Sequence, residues 1–178
     1  MKLNLFLFIA ITLLISCKKD PPPVVEPSPY WGESSATING VPWAAQPTAF
    51  VNLIYGNNWH IIMNYFDQNN ILREGLNLIK VPFKIGTYPV VNGDAQLNDS
   101  LLGADFTYWI DDQTDGYYTV LESDSSSFVS LTSYDTTTKE LRGTFTITFI
   151  AVHKPPYPGA TDTLRVRNGV FHTRVRDK

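Results

Sequence analysis

Residues 111–122, DDQTDGYYTVLE, carry oxygen donors at spacings that suit a hard cation. Counted from Asp111, the side chains of Asp111, Gln113, Asp115 and Glu122 take positions one, three, five and twelve of an EF-hand loop, with Gly116 at six. Calcium favours this pattern because several oxygens converge on one ion while the glycine turns the chain. Two features oppose it. Position three is glutamine instead of aspartate or asparagine, and the flanks ADFTYWI and SDSSSFVSL read as strand and loop where the motif needs helices. A polar hairpin turn between strands at 106–110 and 117–122 is the preferred expectation, with no metal or other cofactor.

A second concentration of chemistry lies near the C-terminus. If the chain reverses at Asn168-Gly169, then Arg165, Arg167, His172, Arg174 and Arg176 gather on one face. Guanidinium forks match carboxylate and phosphate oxygens, so this face could contact an acidic glycan or another anion. The simpler reading is a solvated strand face whose charges discourage edge pairing. Trp31, Trp43, Trp59 and Trp109, with nine tyrosines, could stack against sugars, although aromatic residues of β domains mostly fill cores. Catalysis has thin support. His60, His153 and His172 lie far apart in sequence, and neither HExxH, GxSxG nor a glycine-rich phosphate loop is present. The expectation is a protein that binds and does not catalyse.

The elements that must position these residues are strands. Residues 141–152, LRGTFTITFIAV, alternate Leu141, Phe145, Ile147 and Phe149 with Arg142, Thr144, Thr146 and Thr148, the period of a half-buried strand. Further strands are predicted at 49–55, 59–66, 75–81, 106–110, 117–122 and 128–134, separated by the turn clusters 56–58, 67–70 and 135–139. No stretch keeps a helical period. Asn39-Gly40 predicts a two-residue hairpin that sets Ile38 opposite Val41 and Ala36 opposite Trp43. Asn168-Gly169 predicts another, pairing Val166 with Phe171 and Leu164 with Thr173. Many short strands with polar turns predict an all-β antiparallel β-sandwich, with a small lipocalin-like β-barrel as the alternative.

The chain has 178 residues, enough for one domain, and 43% are hydrophobic against 17% charged, so it can bury a core. A net charge of −3 gives no global attraction to nucleic acid. The single cysteine, Cys17, excludes an intramolecular disulfide.

Met1-Lys2 precedes an apolar run, Leu3 to Ile15, of signal-peptide length and shorter than a spanning helix. Leu14-Ile15-Ser16-Cys17 then resembles the lipobox of bacterial lipoproteins. That resemblance implies removal of residues 1–16 and diacylglycerol on the Cys17 thiol. Residues 17–33 follow as a tether: Lys18 to Tyr30 holds five of the twelve prolines and, at about 3.1 Å per residue, spans roughly 40 Å. Residues 34–178 are expected to form the single β domain.

Three segments, SSATINGVPWAA, SFVSLTSYDTTTKELRGTFTITF and LRVRNGVF, together resemble a family of Bacteroidota lipoproteins with no assigned activity. Its members share an early NG-x-x-W/F hairpin, a late YD…K-x-x-GTF-x-F hairpin and a closing NG-x-F strand. The resemblance implies a lipid-anchored β domain and transfers no functional residue. The expected function is a non-catalytic binding or accessory module, anchored by its lipid at the outer membrane or elsewhere in the cell envelope, on the periplasmic side or the cell surface, and directed at a glycan or an envelope protein. A small-ligand carrier with a barrel cavity competes with it, and an envelope hydrolase comes third. Replacing Cys17 with alanine is expected to abolish incorporation of labelled fatty acid in the native host; undiminished labelling would sink the anchor assignment.

Overall fold

A computed structural model describes residues 28–52, 58–93, 101–110 and 113–176. Ten strands follow in order: β1 (Glu33–Ile38), β2 (Val41–Asn52), β3 (Asn58–Phe66), β4 (Leu72–Val81), β5 (Gly86–Asn92), β6 (Leu102–Ile110), β7 (Gln113–Val120), β8 (Phe128–Tyr134), β9 (Glu140–His153) and β10 (Thr163–Arg176). Among the described residues no helix is long and apolar enough to cross a membrane. Cys17 and residues 18–27 of the expected tether lie outside the described residues, as does Asp111.

The first hairpin forms in the expected register, Ile38 against Val41 and Ala36 against Trp43. Asn39 and Gly40 both take positive φ, 52° and 84°, as a type I′ turn demands. Ala36 and Trp43 are buried, while Val41 at the tip is exposed.

The second Asn-Gly pair does something else. The chain does not reverse at Asn168-Gly169, and residues 163–176 run on as the single strand β10 against β9. Asn168 sits at φ 53° inside a register shift between Val166 and Gly169, which is a β-bulge. A bulge inserts one residue and so flips side-chain parity, as a two-residue turn also does. Leu164 and Val166 point inward before it, and Phe171, Thr173 and Val175 point inward after it. The alternation therefore fits both outcomes, and the long partner strand β9 decides between them.

Two glycines make that β9–β10 pairing close. Gly169 stands opposite Phe145, and Gly143 opposite Phe171. A Cβ on Gly169 would lie 2.5 Å from the Phe145 ring, and one on Gly143 would lie 2.6 Å from the Ser130 carbonyl oxygen and still nearer the Phe171 ring. Each phenylalanine thus fills the space its partner glycine leaves empty, which accounts for G-x-F occurring once in each strand.

The strands close on one another. β2, β3, β4 and β6 pair antiparallel in sequence. The far edge of β6 is shared: β7 takes Asp105–Ile110, and β5 runs parallel along Leu102–Ala104. β7 bridges directly to β9, while β5 reaches β9 through β8. β9 pairs with β10, which returns to β2 through β1 at one end and directly at Val175 and Arg176. The all-β expectation holds. Hydrogen bonding continues around the ring, and the interior is packed with side chains, among them Met63, Phe106, Tyr118, Phe145, Ile147 and Phe149. β5 escapes the alternation signal because Pro89 interrupts GTYPVVN, yet it pairs with β8 as well as β6.

Gly143→Ala and Gly169→Ala are each expected to cost about 1–3 kcal/mol through overpacking. Urea unfolding checks this, and a variant as stable as wild type would show that the phenylalanines can move aside.

Candidate functional site

At one end of the ring the inward-facing positions stop being purely apolar. Glu74 lies on the same side of β4 as Leu76 and Leu78 by strand alternation. Its cross-strand neighbours are Tyr65 on β3 and Tyr108 on β6. Trp43 of the first hairpin donates from Nε1 to Glu74 Oε2 at 2.7 Å. Below them Phe106 contacts both Trp43 and Tyr108, with ring centroids 6.2 Å and 5.1 Å away, and closes the floor.

The wall facing β4 and β6 is the connection between β9 and β10, residues 154–162. It is held from three directions. Pro155 packs on Gly116 of β7, where a Cβ would come within 2.6 Å of the proline ring. Tyr118 reaches up from the core and donates its hydroxyl to the Thr161 carbonyl at 2.8 Å. Asn39 donates from Nδ2 to Thr161 Oγ1 and to the Thr163 carbonyl, both at 3.1 Å, and accepts from the Arg165 amide at 2.8 Å. The hairpin turn and the start of β10 are thereby locked together. This brings Tyr157 edge-on to Tyr108 at 5.9 Å.

Between these walls lies a cleft of about 610 Å³, bordered by Trp43, Tyr65, Glu74, Tyr108, Tyr157 and Thr161. That volume falls within the usual range for small-ligand sites. Burial raises the Glu74 carboxyl above the ordinary glutamate pKa, and the bond from Trp43 offsets this only in part. Burial also raises the neighbouring phenols. Tyr118 is pushed up to about 12 by burial and then by Tyr157 and Asp162. Tyr157 is raised by burial, which its hydrogen bond with Tyr108 offsets in part, and further by the charges of Glu74 and Asp115. Among the described residues Glu74 has no ion-pair partner, and Lys154 of the connecting segment is bound to Asp162 at 3.0 Å.

The motifs singled out from the sequence are placed elsewhere or taken apart. Gln113 and Asp115 lie on β7, which is extended from Gln113 to Val120, and Glu122 follows the end of that strand. At about 3.3 Å per residue the seven steps of β7 span roughly 23 Å, so Gln113, Asp115 and Glu122 do not encircle one ion. The strand forms because β6 and β9 flank it with open hydrogen-bonding edges. Asp111, the first position of the expected loop, lies outside the described residues.

Arg165, Arg167, His172, Arg174 and Arg176 do share the outward face, through the bulge and not through a hairpin. The consequence is different from the expected one. Strung along one strand, Arg165 and Arg176 lie roughly 35 Å apart at about 3.4 Å per residue, too far to converge on one anion. Carboxylates also interleave with them. Glu140 lies 3.0 Å from His172 Nε2 and 3.7 Å from Arg174, and Arg142 also approaches it at 3.6 Å. Arg167 donates to Thr148 Oγ1 at 2.8 Å and to the Val166 and Ile147 carbonyls, with Asp124 at 3.7 Å. Arg174 also stacks on Trp31 at 4.3 Å.

Of the tryptophans, Trp43 and Trp59 are buried, so no four-ring shelf is formed. The exposed rings at the cleft are Tyr157, 41% exposed, and Tyr65, 37%. Glu74, Tyr108 and Tyr157 belong to no motif. One signal in the sequence does point to Glu74: an acid at a core-facing position of the strand LREGLNLIKV.

A carboxyl whose pKa rises on folding stabilises the native state at low pH and loses that contribution as pH rises through the raised value. Among the described residues, the titratable groups that border the cleft with Glu74 are the phenols of Tyr65, Tyr108 and Tyr157. Glu74→Gln keeps an acceptor for Trp43 Nε1 but cannot ionise. It is expected to raise the melting midpoint at about pH 7 by roughly 2–4 °C per kcal/mol of penalty removed, and to leave it unchanged at about pH 4. A variant no more stable than wild type at the higher pH contradicts the buried-acid description.

Comparison of the chain with protein-family models, with curated proteins and with solved structures returns no match.

Proposed function

We propose that this chain is a lipid-anchored binding module of the bacterial cell envelope, held at the outer membrane through Cys17, whose mouth cleft takes a glycan. The observation that carries the reading is the cleft itself: a partly buried carboxylate, Glu74, set among the rings of Trp43, Tyr65, Tyr108 and Tyr157. Saccharides present apolar C–H faces that stack on aromatic rings and hydroxyls that donate to carboxylates, so both halves of the site are complementary to them. The lipobox and the proline-rich tether supply the location, and the resemblance to Bacteroidota lipoproteins agrees with it. A carrier with a buried cavity fits less well, because the positions such a ligand would occupy are taken by Phe106, Tyr118, Phe145 and Phe149. For a hydrolase the relevant pair is His172 with Glu140, and among the described residues no hydroxyl is bonded to that histidine.

Saturable binding on an array of bacterial and plant glycans is the expected outcome. Tyr157→Ala should weaken it at least about tenfold, the loss of one stacking ring, while leaving the melting midpoint near that of wild type. A blank array, or a Tyr157→Ala variant that binds as well as wild type, overturns the proposal.

A further inference from the structure

The hydrogen-bonding inventory of the cleft is one-sided. Its polar donors are largely committed within the protein: Trp43 Nε1 to Glu74, the Asn39 amide to Thr161 and Thr163, and the Thr161 hydroxyl to the Thr163 carbonyl at 2.7 Å. The groups that border the open space are the Glu74 carboxylate and the rings of Tyr65, Tyr108 and Tyr157, whose phenols add the remaining hydroxyls. Both attract positive charge, the ring faces through their quadrupoles.

The field points the same way. Glu74 and Asp115 both act on the Tyr157 phenol, and Asp162 acts on Tyr118. Among the described residues neither Glu74 nor Asp115 has an ion-pair partner, and the one lysine of the connecting segment is already paired with Asp162. Among the described residues no basic side chain borders the cleft. A partly buried carboxylate among rings, with no protein cation beside it among the described residues, is costly in the empty protein and favourable once a cation arrives.

We infer that the saccharide taken by the cleft bears a free amine, its ammonium group seated on Glu74 among Tyr108, Tyr157 and Trp43. The inference rests on the glycan reading above and narrows it to amino sugars that are not N-acylated. The sugar ring lies against Tyr157 and Tyr65 at the rim, where rings are exposed, and the ammonium occupies the deeper end. An N-acetyl group at that position would bring a neutral amide with a carbonyl acceptor against a carboxylate. A hydroxyl there would supply one neutral hydrogen bond in place of a charge-assisted one.

Three hexamers with the same β-1,4 backbone separate these cases: glucosamine hexamer, N-acetylglucosamine hexamer and cellohexaose. Each is titrated against the full chain in detergent, by calorimetry and by tryptophan fluorescence. The glucosamine hexamer is expected to bind at least about tenfold more tightly than either neutral hexamer. Glu74→Gln should abolish that preference, and so should Tyr157→Ala. Glu33→Gln, which removes one exposed charge on β1, should leave it intact. If the neutral hexamers bind as tightly as the amine form, the amine inference fails and the glycan reading stands. If none of the three binds while other glycans on the array do, the inference fails in the same way. A blank array removes the glycan reading and with it this inference. Equal loss in Glu33→Gln and Glu74→Gln assigns the attraction to overall charge and overturns the placement on Glu74.

Discussion

The structure depends on β10 lying along β9 from Glu140 to Ile150 and still reaching β2. One strand therefore changes partners on its far edge, from β1 to β2, and shifts its inward alternation by one residue on the way. The bulge at Asn168-Gly169 lies within the stretch that pairs with β1, ahead of the change to β2 at Val175, and it bends and twists the strand locally. Asn168 is among the few residue types that enter the left-handed region at modest cost, and Gly169 makes room for Phe145. Pairing of β10 with both β9 and β2 closes the ring. Edges are the usual route to unwanted association, so closure also explains why the outward arginines of β10 need not act as edge guards.

Closure has a consequence at the mouth. A ring filled by Phe106, Phe145 and Phe149 has little interior left for a ligand, so the space that remains lies where the strands end. There Glu74 continues the inward row of Leu76 and Leu78 but reaches past the apolar floor. The fold tolerates it because Trp43 donates to one carboxylate oxygen, and because the cleft leaves the side chain incompletely enclosed. Asn39 serves twice in this region. It makes the hairpin turn by entering the left-handed region, and its amide fixes the segment that carries Tyr157. A turn residue thereby becomes a positioning residue for the cleft.

The arginine row shows how the same sequence pattern can lead to a different site. Its outward parity was legible, since a two-residue turn and a one-residue bulge shift alternation alike. Its geometry was not. A hairpin would have gathered the guanidinium groups on two short adjacent strands; a single strand spreads them out and lets Glu140 and Asp124 intervene. The acidic segment at 113–122 behaves likewise. Spacing along the chain resembles an ion-binding loop, but extended backbone converts that spacing into distance.

Local chemistry in the sequence determined the all-β class, the Asn39-Gly40 turn and the alternation of β9, since each depends on residues within a few positions of one another. Tertiary structure decided the rest: whether Asn168-Gly169 turns or bulges, the closing of the ring, and the meeting of Trp43, Glu74, Tyr108 and Tyr157 from four separate segments. Turn propensity and alternation act over a few residues and are written into the chain directly. Which strand offers a free edge is settled only when all of them compete for hydrogen bonds. The cleft is a product of that competition, so no short stretch of the chain announces it.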